Sequence, residues 1–173
     1  MSKHRSSTTH RRKIAIATLA VAAVGVPSAA MASQSAAPAG TRSATSAAAS
    51  DQQEVVDLVN SERAKAGCEP LTVNEKLTKA AQDHSEDMAA HGNMSHTGSD
   101  GSSPGDRIER AGYSWRAYGE NVAYGYDSPK SVMEGWMNSS GHKANILNCD
   151  FKEIGVGLAQ PGNYWTQDFG TAR

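Results

Sequence analysis

Apolar residues recur at helical spacing along the first part of the folded region. A first helix is predicted to start near Asp51, where Asp51 and Glu54 resemble a capping box, and to stop at Gly67. A second helix is predicted from its cap at Asn74 to Gly92. The apolar stripes of the two helices consist of Val55, Val56, Val59 and Ala66, and of Leu77, Ala80, Ala81, His84, Met88 and Ala89.

The carboxy-terminal half combines short helices with strands. Two Ser-Pro pairs, at 103–104 and 128–129, place a cap and a proline where a helix starts. Residues 118–125, 154–159 and 164–169 have strand character, and the Gln-Pro-Gly-Asn sequence between the last two fits a hairpin turn. Because helices come first and the hairpin last, this order predicts an α+β fold rather than repeated βαβ units.

The amino terminus, residues 1–32, has the three parts of a secretory signal peptide. A basic region precedes the apolar stretch 14–26, and Ala30-Met31-Ala32 predicts cleavage before Ser33. The general secretory route is favoured over twin-arginine export, because the residues after Arg11-Arg12 fit that signal poorly. We therefore expect a secreted, extracellular product.

Residues 33–50 consist almost entirely of small and polar residues. With no large apolar side chain to bury, this segment is predicted to be a disordered Ala/Ser-rich linker, and it is a candidate spacer across a cell wall. The folded domain is then predicted to span 51–173, a length that fits one domain.

Charge excludes one class of partner. Five of the seventeen basic residues lie in the first thirteen positions, and no acidic residue precedes Asp51. The mature chain is therefore acidic, which argues against a nucleic-acid partner. Its longest apolar run is shorter than the ~20 residues of a spanning helix, so no transmembrane segment is expected in the mature protein. We expect a monomer.

Both cysteines, Cys68 and Cys149, lie in the exported part, where thiols tend to oxidise. A disulfide between them would close a loop worth roughly 4–5 kcal/mol in the chain-entropy model. Two free, buried thiols remain the alternative.

Two of the histidines lie in segments that suggest a functional site. His96 follows the predicted end of the second helix, and His142 precedes a short helical pattern. Between them, Glu120 puts a carboxylate into an otherwise apolar strand, which is costly unless the charge is paired or binds a metal. Two imidazoles and a carboxylate can form an open zinc site, although ligands from separate segments cannot be identified by spacing. His84 and His91 are interpreted as packing residues at a core edge.

Several aromatic residues around this strand could line a groove. Their spacing is more typical of ordinary packing, so we assign them no role. They are Tyr113, Trp115, Tyr118, Tyr124 and Tyr126.

Many ordered matches connect this sequence to a known family. From about residue 54 to residue 170 it resembles the CAP superfamily, which comprises cysteine-rich secretory proteins, antigen 5 and plant pathogenesis-related proteins and is also called the SCP domain. The bacterial secreted branch is the most similar. The matching stretches are Val59-Asn60-Ser61-Glu62-Arg63, Pro70-Leu71, His84-Ser85-Glu86-Asp87-Met88, Ser95-His96, Asp106-Arg107, Ala111-Gly112-Tyr113, Gly119-Glu120-Asn121-Val122-Ala123, Trp136-Met137-Asn138-Ser139, Gly141 to Leu147, Ile154-Gly155-Val156-Gly157 and Tyr164-Trp165-Thr166-Gln167.

The resemblance implies a fold and a cleft. The implied fold is an α-β-α sandwich, with a central antiparallel sheet between helical layers. The cleft of this family holds two His and two Glu and in some relatives binds zinc or another divalent cation. His96, Glu120 and His142 match three of these positions, whereas Ser139 occupies the place of the second Glu. Glu134 is the nearest carboxylate, and Asn145 is a further candidate for the cleft.

Three functions follow from these observations. The resemblance favours an extracellular binding module for a divalent metal together with a lipid, glycan or peptide. The first alternative is a hydrolase, either metal-dependent with Glu120 or Glu134 as base, or using Ser139 or Ser140 with His142. The second is a structural wall-associated protein in which the His/Glu cluster only staples the fold.

Overall fold

The computed structural model describes the backbone of residues 39–173 and the side chains of residues 46–173. The predicted signal peptide, 1–32, and residues 33–38 of the predicted linker lie outside the described residues. The elements in chain order are α1 (Ala39–Lys65), β1 (Thr72–Val73), α2 (Glu75–His91), α3 (Pro104–Arg110), β2 (Trp115–Tyr124), α4 (Pro129–Met137), α5 (Ser140–Ile146), β3 (Glu153–Ala159) and β4 (Tyr164–Ala172).

The first helix begins earlier than the sequence pattern predicts. α1 starts at Ala39, so residues 39–50, expected to be linker, are helical. Alanine has the most favourable helix propensity, and these residues continue a helix whose later turns are anchored in the core. The apolar periodicity of the sequence does not reveal this part of the helix, because the segment has no large apolar side chain.

The strands form one sheet in the order β1-β3-β4-β2. β2, β4 and β3 pair antiparallel, and the two-residue β1 pairs parallel with β3, so the sheet is mixed rather than wholly antiparallel. The helices cover both faces, with α2 and α3 on one and α1, α4 and α5 on the other. This arrangement confirms the predicted α+β sandwich.

Two glycines let α2 lie directly on β3. A Cβ at Gly155 would meet the backbone of Leu77 and Thr78, and one at Gly157 would meet the backbone of Ala81. The opposite face of the same strand carries apolar side chains that pack beneath α1 and α4. That main core includes Val55, Val59, Val132, Trp136, Ile154, Val156, Leu158, Trp165 and Phe169.

Two long-range connections fix the chain after α5. The predicted disulfide between Cys68 and Cys149 is present. Beside it, the fully buried Arg63 donates to the carbonyls of Ile146, Asn148 and Phe151. Both connections hold the end of α5 against the end of α1. Among the described helices, none combines the length and the apolar character needed to cross a membrane.

Candidate functional site

Glu120 is the buried carboxylate at the centre of the site. Side chains of β2 alternate between the two sheet faces, and Glu120 points to the side on which α3 supplies Arg107. A guanidinium nitrogen of Arg107 donates to Oε2 at 2.6 Å, and Nδ1 of His96 lies 2.7 Å from Oε1. Only 2% of the Glu120 side chain is exposed, so the Arg107 charge offsets the cost of burying it.

His96 lies in the loop that follows α2, and buried side chains hold this loop by its backbone. Nε2 of the buried His84 donates to the carbonyl of Ser95 at 2.8 Å. Arg107 donates to the carbonyl of His96 at 3.1 Å as well as to Glu120. The imidazole itself is half exposed, and its hydrogen bond with Glu120 raises the pKa of His96 above the ordinary value.

His142 lies on α5, on the other side of the β2 edge. Asn121 donates to the His142 carbonyl at 3.1 Å, and Asn145 donates to the carbonyl of Glu120, also at 3.1 Å. These amides fasten α5 to the strand that carries Glu120. Burial, together with the nearby charge of His96, lowers the pKa of His142. The three predicted residues therefore come from three segments, and the helix that carries His142 is hydrogen-bonded to the strand that carries Glu120.

Glu120 takes part in hydrogen bonds at this site instead of standing open as a metal ligand. Each oxygen of Glu120 accepts or shares one hydrogen bond, Oε1 with His96 and Oε2 with Arg107. Among residues 46–173, no group of three or more His, Cys, Asp or Glu side chains is placed to hold a metal ion. A carboxylate in this position instead orients the histidine ring. Binding of a divalent ion by His96, Glu120 and His142 stays a prediction.

Asp168 adds a second buried acid that the sequence analysis did not identify. It lies on β4 directly opposite Glu120 and is 1% exposed. No donor among the described residues bonds to either carboxyl oxygen. Burial and the neighbouring charge of Glu120 raise the pKa of Asp168 well above its ordinary value. We therefore expect a protonated Asp168 that donates to Glu120.

A cleft of about 320 Å³ follows the edge of β2 beside His142, and we call it the edge cleft. Its lining is mainly apolar, with Ser139 and His142 as polar groups. Residues from both faces of the sheet contribute to it. The lining consists of Met94, Val122, Ala123, Tyr124, Tyr126, Gly135, Trp136, Ser139 and His142.

The structure places the three further cleft candidates, Glu134, Asn145 and Ser139, at different positions. Glu134 lines a separate groove between α1 and α4, beside Leu58 and Met133, because its position on α4 turns it toward α1. The expectation that Glu134 joins the histidines is therefore corrected. Asn145 does not line the edge cleft, but it lies beside Glu120, where its amide donates to the Glu120 carbonyl and to Asn121. Ser139 does line it, although its side chain makes no hydrogen bond with His142.

Sequence reasoning missed Arg107, Asp168 and the apolar walls of the edge cleft. Arg107 lies within a matched stretch, but nothing in its neighbours shows that its partner is a strand residue. Asp168 carries a detectable signal, since it is an acidic residue at an inward position of a buried strand. Tyr124 and Tyr126 have the spacing of ordinary packing residues, yet both line the cleft.

The sequence of the folded region matches a known family. A model described as the cysteine-rich secretory protein family, CAP, matches residues 56–169, which is most of the domain. The chain belongs to the CAP family. The resemblance inferred from its motifs is confirmed, and both His96 and His142 fall inside the matched region.

Individual relatives agree with this assignment. The uncharacterized protein YkwD of Bacillus subtilis is 42% identical over 129 residues, which cover 75% of this chain and 50% of YkwD. This CAP chain thus spans about half the length of that relative. An extracellular protein containing an SCP domain from Bacillus anthracis superposes with a TM-score of 0.67 at 30% identity, covering 70% of this chain and 40% of the other.

A more distant structure shows the same fold. An outer surface protein from Borrelia burgdorferi superposes with a TM-score of 0.68 at 23% identity. The alignment covers 72% of this chain and 94% of that protein. The CAP fold of this chain therefore accounts for nearly the whole of that molecule.

Proposed function

We propose that this CAP protein is an extracellular binding module whose ligand occupies the edge cleft. One observation carries the proposal: two of the large apolar side chains exposed to solvent lie together at this cleft. Met94 is 49% exposed and Tyr124 is 54% exposed, and both line it. Clustered apolar exposure beside a few polar groups is typical of a binding site.

The polar groups of the site support binding more than turnover. Glu120, the candidate base, is paired with Arg107 and His96 rather than directed at the edge cleft. Ser139 has no hydrogen bond to His142, as an activated serine would need. The forms of hydrolase that use Glu120 as base or Ser139 as nucleophile are therefore not supported by a contact in the site.

Two observations support the extracellular assignment. The Cys68–Cys149 disulfide is typical of an oxidising compartment. Similar structures include one described as extracellular and one described as an outer surface protein. Together with the predicted signal peptide, they favour a secreted product. Association with the cell wall is a finer proposal that rests on the predicted linker.

The structural alternative also has an observation in its favour. Arg107 joins α3, the loop at His96 and the sheet through Glu120, and this network stabilises the fold whether or not a ligand binds. The two functions differ in what the edge cleft does. A purely structural protein needs no site that accepts an apolar molecule there.

The test uses the fluorescent probe anilinonaphthalene sulfonate, which combines an aromatic surface with an anionic group. We expect saturable binding that Tyr124→Ser and Met94→Ser each weaken roughly tenfold. Val73→Ser is the matched control, because Val73 is 45% exposed but lies on β1, away from the cleft. Equal binding by all variants, or no binding by the native protein, would reject the proposal.

A further inference from the structure

The floor of the edge cleft is the edge of a strand. Val122, Ala123 and Tyr124 are consecutive in β2, and all three line the cleft. Consecutive strand residues point to opposite faces, so a surface that includes all three must run along the edge of the strand. β2 is the outermost strand and has β4 on one side only.

Two carbonyl contacts show which backbone groups face this edge. The carbonyl of Glu120 accepts from Asn145 at 3.1 Å, and that of Val122 accepts from Trp136 Nε1 at 3.3 Å, so both point away from β4. Alternate residues of a strand direct their N–H and C=O groups to the same side. The N–H of Val122 and both backbone groups of Tyr124 therefore face the cleft. In the described part of the chain, no backbone group outside the sheet bonds to them.

We propose that the edge cleft binds a peptide in the extended conformation, which pairs with β2 as an added strand. This inference rests on the proposed function and names the class of its ligand. Free N–H and C=O groups spaced along a strand are matched by a peptide backbone, whereas a lipid chain offers no such alternation. The unpaired groups at Val122 and Tyr124 give the ligand its register.

The walls of the cleft indicate the side chains of such a peptide. An added strand directs its side chains alternately to the two sides of the β2 edge. Met94 lies on one side, and Trp136 and His142 lie on the other. The peptide that fits best therefore carries apolar or aromatic side chains at adjacent positions, one toward each wall. Methionine and tryptophan surfaces accept such groups without demanding one sequence.

The experiment begins with short random peptides displayed on phage and selected on the native protein. Synthetic copies of the selected peptides are titrated against bound anilinonaphthalene sulfonate. Each backbone nitrogen of the best peptide is then methylated in turn. Strand pairing predicts that methylation weakens binding roughly tenfold at every second residue and has little effect between them, because only alternate N–H groups face β2.

A pair of protein variants tests the same contact from the other side. Tyr124→Pro removes the outward N–H while leaving the groups that pair with β4, and proline is tolerated on an edge strand in this orientation. Tyr124→Ser keeps the N–H and removes the same aromatic ring. We expect the proline variant to bind the peptide several-fold more weakly than the serine variant. Its melting temperature should lie within the range of the Tyr124→Ser, Met94→Ser and Val73→Ser variants.

The outcomes separate this inference from the proposed function. If the fluorescent probe binds but no selected peptide displaces it, the edge cleft is a binding site and the peptide inference is rejected. Equal sensitivity to methylation at every position would also reject it. If Tyr124→Pro does not fold, the methylation pattern on the native protein decides. If the native protein does not bind the fluorescent probe, both the proposed function and the peptide inference are rejected.

Discussion

At the scale of single residues, the site depends on a buried acid pair rather than on free carboxylates. Asp168 and Glu120 lie opposite each other on adjacent strands, and Arg107 supplies one compensating charge. Two neighbouring carboxylates that have a single cation bonded to one of them favour a shared proton. We expect the proton to lie on Asp168, while Oε1 of Glu120 orients the His96 imidazole through their hydrogen bond.

This arrangement predicts how stability depends on pH. Because its pKa is raised on folding, Asp168 contributes stability that is complete below its unfolded pKa and is lost as the pH rises toward its folded pKa. Asp168→Asn should remove this dependence, since the amide donates to Glu120 without needing a proton. Relative to the native protein, the variant should gain up to about 1.4 kcal/mol per pH unit above about pH 4.

Urea unfolding of the two proteins across this pH range measures the difference directly. Subtracting the two curves cancels the contributions of the histidines, which both proteins share. A difference that stays constant with pH would show that Asp168 is ionised in the folded protein, contrary to this account.

At the scale of elements, the position of α2 on the sheet is set by glycines 155 and 157 of β3. A side chain at either position would have to push back helix backbone, which cannot move aside as a flexible side chain can. α2 in turn ends at the loop that carries His96, and His84 on this helix holds that loop. Helix packing on β3 therefore determines where the imidazole lies relative to Glu120.

Gly157→Ala tests this dependence. The added Cβ meets the Ala81 backbone, so we expect a loss of roughly 1–3 kcal/mol in the free energy of unfolding. Gly141→Ala is the matched control, because Gly141 lies in α5 with open space around it and alanine favours a helix. Denaturant unfolding of both variants measures the effect. A Gly157→Ala variant as stable as the control would contradict the close packing of α2.

The sequence predicts those elements whose determinants are local. The cap Asn74 and the Ser-Pro starts at Ser103 and Ser128 begin helices as expected. The predicted start of α1 is wrong because residues 39–50 contain no large apolar side chain and so leave no apolar pattern in the sequence. The two histidines and the glutamate of the site could be selected through family motifs, but their partners could not. These partners come from separate segments of the chain, as in the Arg107–Glu120 and Asp168–Glu120 pairs. The spacing of residues along the sequence does not indicate such long-range pairs.

At the scale of the whole molecule, one disulfide and one buried arginine connect the end of α1 to the segment after α5. The disulfide spans 81 residues and joins the end of α1 to the segment after α5. α5 carries His142, so the same connection that stabilises the fold also fixes one wall of the edge cleft. Arg63 bonds to carbonyls in the same segment and supports it independently.

Removal of the disulfide should therefore lower the stability of the fold but leave the structure of the segment after α5 largely unchanged. Replacement of both Cys68 and Cys149 by serine is expected to lower the free energy of unfolding by roughly 4 kcal/mol, mainly by freeing the unfolded chain. Because Arg63 still holds the segment after α5, the double variant should bind anilinonaphthalene sulfonate as the native protein does below its melting temperature. Unchanged stability in denaturant would contradict the first expectation, and lost probe binding the second.

The edge cleft is the place where we expect a ligand to bind. The most direct test is a titration of the native protein with anilinonaphthalene sulfonate, followed by the backbone amide signals in heteronuclear NMR spectra. We predict that saturable shifts concentrate at Val122, Tyr124, Met94 and His142. Shifts confined to the groove between α1 and α4, around Leu58, or scattered without saturation, would contradict the claim.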